Sequence, residues 1–147
     1  MSKYAKILMG GIVCLIFASS AHAEPIYHEK HYPDGSGPFP AVIALHTSGG
    51  FKTVKHLIQR YVDDGFAVYA PDFFKRHGLT PKTRMKTFDR FRENIEKDLS
   101  EIVNVMKNDP KVQKKNIFAT GFSNGGFWVG YLTGSSKVSA GVAHYGV

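Results

Sequence analysis

Residues Ala41-Val42-Ile43-Ala44-Leu45 form an unbroken apolar run with no side chain suited to water on either face. A strand of that kind must be covered on both sides, and parallel sheets flanked by helices are where such strands occur. The rest of the chain agrees with this, because strand-like and helix-like stretches alternate with no internal repeat or low-complexity tract. The alternation predicts a mostly parallel central sheet between two helical layers. At 147 residues, the chain suits one domain.

The elements follow in order. An extended stretch from Ile26 to Tyr32 ends at the turn signal Pro33-Asp34-Gly35. Ala41–Leu45 is the first central strand. Val54, Leu57, Ile58, Tyr61 and Val62 recur at helical spacing, and Asp63-Asp64-Gly65 stops that helix. Phe66 to Ala70 reads as a second strand leaving through Pro71-Asp72. A basic loop precedes a long helix from about Thr87 to Asn108, lined by Phe88, Phe91, Ile95, Leu99, Ile102, Val103 and Met106 and ended by Pro110. Asn116 to Thr120 is a third strand, Gly121 to Gly126 a tight turn into a short helix through Leu132, and Val138 to Val147 a fourth buried strand.

The first 23 residues stand apart. Lys3 and Lys6 precede an apolar run from Ile7 to Phe17 that leads to Ala21-His22-Ala23, the pattern of a secretory signal peptide cleaved after Ala23. A membrane anchor is the weaker reading, since the run is short of the roughly 20 residues a spanning helix needs and Gly10-Gly11 interrupts it. Export to the periplasm or medium, with no stable membrane anchor after cleavage, is the expectation. The one cysteine, Cys14, lies in the removed segment, and Gly11-Ile12-Val13 before it does not favour a lipid anchor. The net charge of +7 falls to +5 without Lys3 and Lys6. Lys75, Arg76, Lys82, Arg84, Lys86, Arg90 and Arg92 concentrate much of it. That cluster reads either as a solvated surface or as an attractor for an anionic substrate or polymer; no nucleic-acid motif accompanies it, and no nucleic-acid partner is expected.

Gly121-Phe122-Ser123-Asn124-Gly125 carries the chemistry. A Gly-x-Ser-x-Gly sequence between a strand and a helix forces the serine into a sharp turn with its Oγ exposed, and small flanking residues let the two elements pack closely. The pattern alone is weak in a chain with 15 glycines, but here an apolar strand precedes it and a helix follows. Ser123 is therefore the candidate nucleophile, Gly121 and Gly125 are the elbow glycines, and the helix beginning at Asn124 offers N–H groups to a developing negative charge.

Four landmarks in order, His46 with the small residues Thr47-Ser48-Gly49-Gly50, Ala70-Pro71-Asp72, Gly121-Phe122-Ser123-Asn124-Gly125-Gly126, and Ala143-His144-Tyr145-Gly146, resemble those of the dienelactone hydrolase family. The resemblance covers essentially all of the chain after residue 23. It implies a three-layer α/β-hydrolase fold, incomplete at the C-terminus, and hydrolysis of a carboxylic ester or lactone in a small molecule or polymer, with no metal or organic cofactor. By position it implies oxyanion donors at the backbone N–H of Asn124 and of Ser48, to within one residue. Dienelactone hydrolases proper use cysteine as nucleophile, so Ser123 points to their serine esterase relatives.

In this superfamily the acid and then the histidine follow the nucleophile. From Asn124 to Val147 there is no Asp or Glu, and His144 is the only histidine. His144 reads as a packed residue or as a stand-in base. His46 reads as a shaper of the oxyanion loop or as a catalytic group, and Asp72 as a turn residue. The absent acid and base give two expectations, a truncated hydrolase whose product is inactive or a hydrolase-like binding module without catalysis.

Overall fold

The apolar run lies at the centre of the sheet. In the computed structural model, which describes residues 24–146, Phe39–Leu45 (β2) is buried from Ala41 onward and flanked on both sides. The other strands are His28–His31 (β1), Ala67–Pro71 (β3), Val112–Gly121 (β4) and Ala140–Ala143 (β5), in the order β1-β3-β2-β4-β5. β1 runs antiparallel to β3, and every other pair is parallel. The expected signal peptide and Cys14 lie outside the described residues.

Successive β2 side chains point to opposite faces, and each face has its own helical cover. Ala41, Ile43 and Leu45 join Ile95, Leu99, Ile102 and Met106 of the helix Arg92–Asn108 (α2) and Trp128 and Leu132 of the helix Asn124–Gly134 (α3). Val42 and Ala44 face Leu57 and Ile58 of the helix Lys55–Asp63 (α1), together with Val54 just before it. The result is a three-layer α/β-hydrolase architecture with α1 on one side of the sheet and α2 and α3 on the other.

Strand order fixes where a site can form. From β2 the chain passes through α1 to β3 on one side, then crosses back through α2 to β4 on the other. The carboxyl ends of β2 and β4 therefore meet where the winding reverses, the position at which open α/β sheets form their ligand crevices. In register, Leu45 is opposite Gly121, so the loop after β2 and the turn after β4 emerge side by side.

Three expectations need correction. The long helix begins at Arg92 and not near Thr87: residues Arg84–Thr87 form a 3₁₀ turn closed by the Thr87 hydroxyl donating to the Arg84 carbonyl at 2.7 Å. Phe88 and Phe91 turn instead to local partners, Phe88 against Phe127 at 4.8 Å and Phe91 against His77 at 5.4 Å. The last stretch is not a buried strand of ten residues. β5 has four residues, all exposed, because β4 pairs with it on one edge only. Val138, ahead of β5, is buried. β4 in turn is longer than Asn116–Thr120 and reaches back to Val112, past an irregularity where β2 shifts register between Phe39 and Ala41.

Candidate active site

Ser123 stands between β4 and α3 with φ 51° and ψ −119°, a left-handed backbone that L-residues avoid. What holds it there is contact between backbones. A Cβ on Gly121 would lie 2.5 Å from the carbonyl carbon and oxygen of Gly125, and one on Gly125 would lie 2.5 Å from the Leu45 carbonyl oxygen and 2.8 Å from that of His46. Strand, turn and helix thus approach to distances that exclude any side chain at those two positions. Ser123 is partly exposed, and its hydroxyl makes no hydrogen bond among the described residues.

The first N–H groups of α3 have no partner within the helix. Gly125 N–H turns back to the Phe122 carbonyl at 2.9 Å, and Phe127 N–H takes the Ser123 carbonyl at 3.1 Å. The Asn124 N–H directly follows the Ser123 carbonyl. The Asn124 side chain is fully buried and fixed at both ends: Nδ2 donates to Thr87 Oγ1 at 2.9 Å, and Oδ1 accepts from Trp128 Nε1 at 3.1 Å. This network ties the elbow to the loop before α2. Sequence reasoning missed it, although Asn124 and Trp128 are four residues apart on one helix face.

Across the crevice, the loop after β2 consumes its own donors selectively. Thr47 N–H donates to Thr53 Oγ1 at 3.0 Å, Gly49 N–H to Thr47 Oγ1 at 3.0 Å and Gly50 N–H to the Thr47 carbonyl at 3.0 Å. Ser48 N–H makes no hydrogen bond among the described residues. The loop starts at the Leu45 and His46 carbonyls that touch Gly125, so Ser48 belongs to the same end of the sheet as Ser123.

His46 lies beneath this loop. Its ring is buried, stacks on Phe73 at 3.8 Å between centroids, meets Phe74 edge-on at 4.7 Å, and bonds through Nδ1 to the Thr47 carbonyl at 2.8 Å. Nε2 stands 3.6 Å from Asp72 Oδ1 and makes no hydrogen bond. Burial alone would raise the Asp72 carboxyl; the His46 ring and the N–H donors of Phe74 and Lys75 outweigh it and hold the group below the usual carboxylate range. The pair braces the loop after β2 from below.

His144 is exposed and not packed in a strand. Its ring lies flat on Phe122, 4.0 Å between centroids at 4°, and Nε2 is 3.4 Å from Thr120 Oγ1, which is itself 3.1 Å from the Tyr61 hydroxyl. It makes no hydrogen bond to Ser123. The segment after β5 still helps shape the elbow, since a Cβ on Gly126 would lie 2.4 Å from the Tyr145 carbonyl oxygen. Among the described residues, no group of three or more His, Cys, Asp or Glu side chains is placed to hold a metal ion.

A second polar cluster escaped the sequence reading. Asp98 sits in the apolar stripe of α2 between Ile95 and Leu99, where it takes Arg76 Nη1 and, at 2.7 Å, His77 Nε2. Arg76 also reaches Glu101 Oε2 at 3.0 Å. An acidic residue inside a helix's buried stripe was the available signal, since a buried carboxylate needs a cationic partner. The cluster pins the turn after β3 to α2.

Known proteins share this architecture. The model of the dienelactone hydrolase family matches residues 29–147. A protein of Aquifex aeolicus (strain VF5) named "Putative carboxymethylenebutenolidase" is 25% identical over 119 residues, covering 74% of this chain and 52% of that one. Among solved structures, a dienelactone hydrolase-like promiscuous phosphotriesterase from metagenomic libraries superposes with a TM-score of 0.65 at 24% identity, covering 81% of this chain and 53% of that one. Acetyl xylan esterase 1 from Thermoanaerobacterium sp. JW/SL YS485 does so with a TM-score of 0.53 at 20% identity, covering 69% and 37%. The chain spans about half the length of the curated relative it matches. With the family model matching from β1 through the elbow and β5, the chain belongs to the dienelactone hydrolase family.

Proposed function

We propose that this protein is an exported hydrolase of carboxylic esters or lactones in which Ser123 is the nucleophile and the N–H groups of Asn124 and Ser48 receive the oxyanion. The observation that carries the reading is the strained Ser123 backbone, φ 51°, at the start of α3 and opposite a loop whose one uncommitted N–H between Thr47 and Gly50 is that of Ser48. Strain of this kind costs about 1–3 kcal/mol and persists where surrounding structure enforces it, which makes it an indicator of function.

In the proposed reaction Ser123 Oγ attacks the carbonyl carbon while its proton passes to a base. Negative charge on the carbonyl oxygen is held by the two N–H groups, the C–O bond breaks with the proton returned to the leaving alcohol, and water then cleaves the acyl-serine by the reverse sequence. No cofactor takes part in these steps. Among these 147 residues no Asp or Glu follows Ser123 and His144 is turned to Phe122 and Thr120, so neither the base nor its orienting acid is assigned to any of them.

The test is to sequence the locus beyond the Val147 codon and to assay its full reading frame on p-nitrophenyl acetate with and without Ser123→Ala. A continuation that supplies an Asp and then a His, with turnover abolished by the substitution, is the expected result. Turnover unchanged in Ser123→Ala would refute the nucleophile assignment. The Ser123 hydroxyl, which has no hydrogen-bond partner among the described residues, favours a second reading for these 147 residues taken alone, a hydrolase-like module that binds without turning over. Loss of triad members costs on the order of 10⁴–10⁶ in kcat, so the 147-residue chain is expected to bind acyl compounds and hydrolyse them at a residual rate only.

A further inference from the structure

The segment from Lys75 to Arg92 lies against the elbow and is charged far out of proportion to the rest of the chain. It holds seven basic residues and one acidic residue, Asp89. Its contact with the site is direct: Asn124, the neighbour of Ser123, bonds Thr87 Oγ1 at 2.9 Å and the Arg84 carbonyl at 3.5 Å through Nδ2.

The cations divide into two sets. Arg76 is largely shielded and committed to Asp98 and Glu101, Arg92 pairs with Glu96 at 3.1 Å, and Lys75 lies over the Tyr27 ring at 4.2 Å. Lys82, Arg84, Lys86 and Arg90 are exposed and have no carboxylate partner among the described residues. The one guanidinium sheltered enough to grip a single small carboxylate is thus already neutralised, and what remains is a row of open charges strung along a surface loop. Such a row suits an anion with repeated charges, whose binding comes from several weak contacts and released counterions.

We propose that residues 82–90 form a docking strip for an acidic polysaccharide that carries acyl esters, holding the polymer so that an ester reaches Ser123. The assignment of an ester substrate rests on the function proposed above; the strip itself rests on charge and position. A nucleic acid is the less suitable polyanion. Single strands gain affinity by stacking bases on exposed aromatic rings, and within the strip the one ring, Phe88, packs on Phe127 and Trp128, while Phe91 just beyond it packs on His77.

The experiment measures binding of the 147-residue chain to polygalacturonate and to single-stranded DNA of matched charge, by fluorescence anisotropy at ~20 and ~200 mM NaCl. Expected is polygalacturonate binding that weakens about tenfold or more across that range and that falls at least tenfold in the fourfold variant Lys82→Gln, Arg84→Gln, Lys86→Gln, Arg90→Gln. The variant Lys107→Gln, Lys114→Gln, Lys115→Gln removes cations near the opposite end of β4 and is expected to bind like the parent. Equal losses in the two variants would show a general charge effect and overturn the strip. So would full binding by the fourfold variant with an unchanged melting temperature, or DNA bound more than tenfold tighter than polygalacturonate. Ser123→Ala is expected to bind the polymer unchanged. An intact strip in a protein without Ser123-dependent hydrolysis would count against the nucleophile alone, and neutral-ester hydrolysis without polymer binding would count against the strip alone.

Discussion

Replacing Gly125 and Gly130 by alanine makes the same chemical change twice in α3, yet the structure predicts opposite results. At Gly125 the new Cβ would sit 2.5 Å from the Leu45 oxygen, 2.8 Å from the Leu45 carbonyl carbon and 2.8 Å from the His46 oxygen. An ordinary C···O contact begins near ~3.3 Å, so about 0.8 Å must be recovered. No flexible side chain is there to yield. The obstructing atoms belong to the end of β2, which is fixed by pairing Leu45 with Gly121. Overpacking costs about 1–3 kcal/mol where side chains can adjust, and a clash with paired backbone belongs at about 3 kcal/mol or above. At Gly130 nothing lies within 4 Å of the added Cβ, the residue is exposed, and the backbone is helical. Alanine there should gain about 0.8–1 kcal/mol from helix propensity. At roughly 4 °C per kcal/mol for a domain of this size, Gly125→Ala should melt ~12 °C below the parent and Gly130→Ala ~4 °C above it. Thermal scans by far-UV circular dichroism, checked by urea titration, measure both. A Gly125→Ala melting point within about 2 °C of the parent would refute the close approach of β2 and α3 on which the site's geometry depends, and shifts of the same sign in the two variants would refute the contrast.

Asn124→Ala should destabilise by about 2–3 kcal/mol, because it strands the buried Trp128 N–H and removes the Thr87 partner; Trp128 is the only tryptophan, so a parent-like emission spectrum and melting point would contradict the network. Ser123→Gly should raise stability by up to about 1 kcal/mol by releasing the positive φ while removing no hydrogen bond, whereas a clear loss would show that the serine hydroxyl supports the fold. Acid should unfold the protein in a way that depends on Asp109. Burial works to raise that carboxyl, but the hydroxyls of Tyr32 at 2.5 Å and Tyr69 at 2.7 Å, with Lys111 N–H and Lys30, outweigh it and hold it far below the usual range. A depressed folded value means that the stabilisation is complete above the unfolded carboxylate value of ~3.9 and is lost as the pH falls through the folded one. Urea titrations from pH 7 to below pH 4 should show a steeper fall in the parent than in Asp109→Asn; parallel curves would remove Asp109 from the account.

The central strand and the helical stripes were legible because the helical layers left no polar residue in Ala41–Leu45 and spaced the apolar residues of α1 and α2 by the helical period. The elbow was legible because two backbone contacts that tolerate no Cβ fix Gly121 and Gly125. The start of α2 was not legible. Phe88 and Phe91 continue its apolar period, but they satisfy it against Phe127 and His77, and a periodicity count cannot separate those contacts from helix packing. β5 was misread for a related reason. Ala140-Gly141-Val142-Ala143 is as apolar as a central strand, and its exposure depends on how many neighbours it has, which no local pattern records. The roles of Asn124 and Asp98 needed the tertiary fold, because Thr87 and Arg76 reach them from segments 37 and 22 residues away.

The strain at Ser123 is held by elements that have nothing to do with proton transfer. Gly121 and Gly125 close β4, β2 and α3 on one another, Gly126 seats the carbonyl of Tyr145, and Asn124 links Thr87 to Trp128. None of these contacts involves a carboxylate or a histidine side chain, so the Ser123 backbone and the start of α3 do not need a triad to take shape. The geometry of the site and the reactivity of its serine are therefore separable properties in this family member. Position comes from the crevice where β2 and β4 end together, whereas activation, on the reading proposed above, depends on a base. On the reading proposed above, the N–H groups of Asn124 and Ser48 can polarise and hold a carbonyl oxygen whether or not the Ser123 hydroxyl is activated, and for that reason ligand capture by the 147-residue chain should survive conditions under which turnover is undetectable.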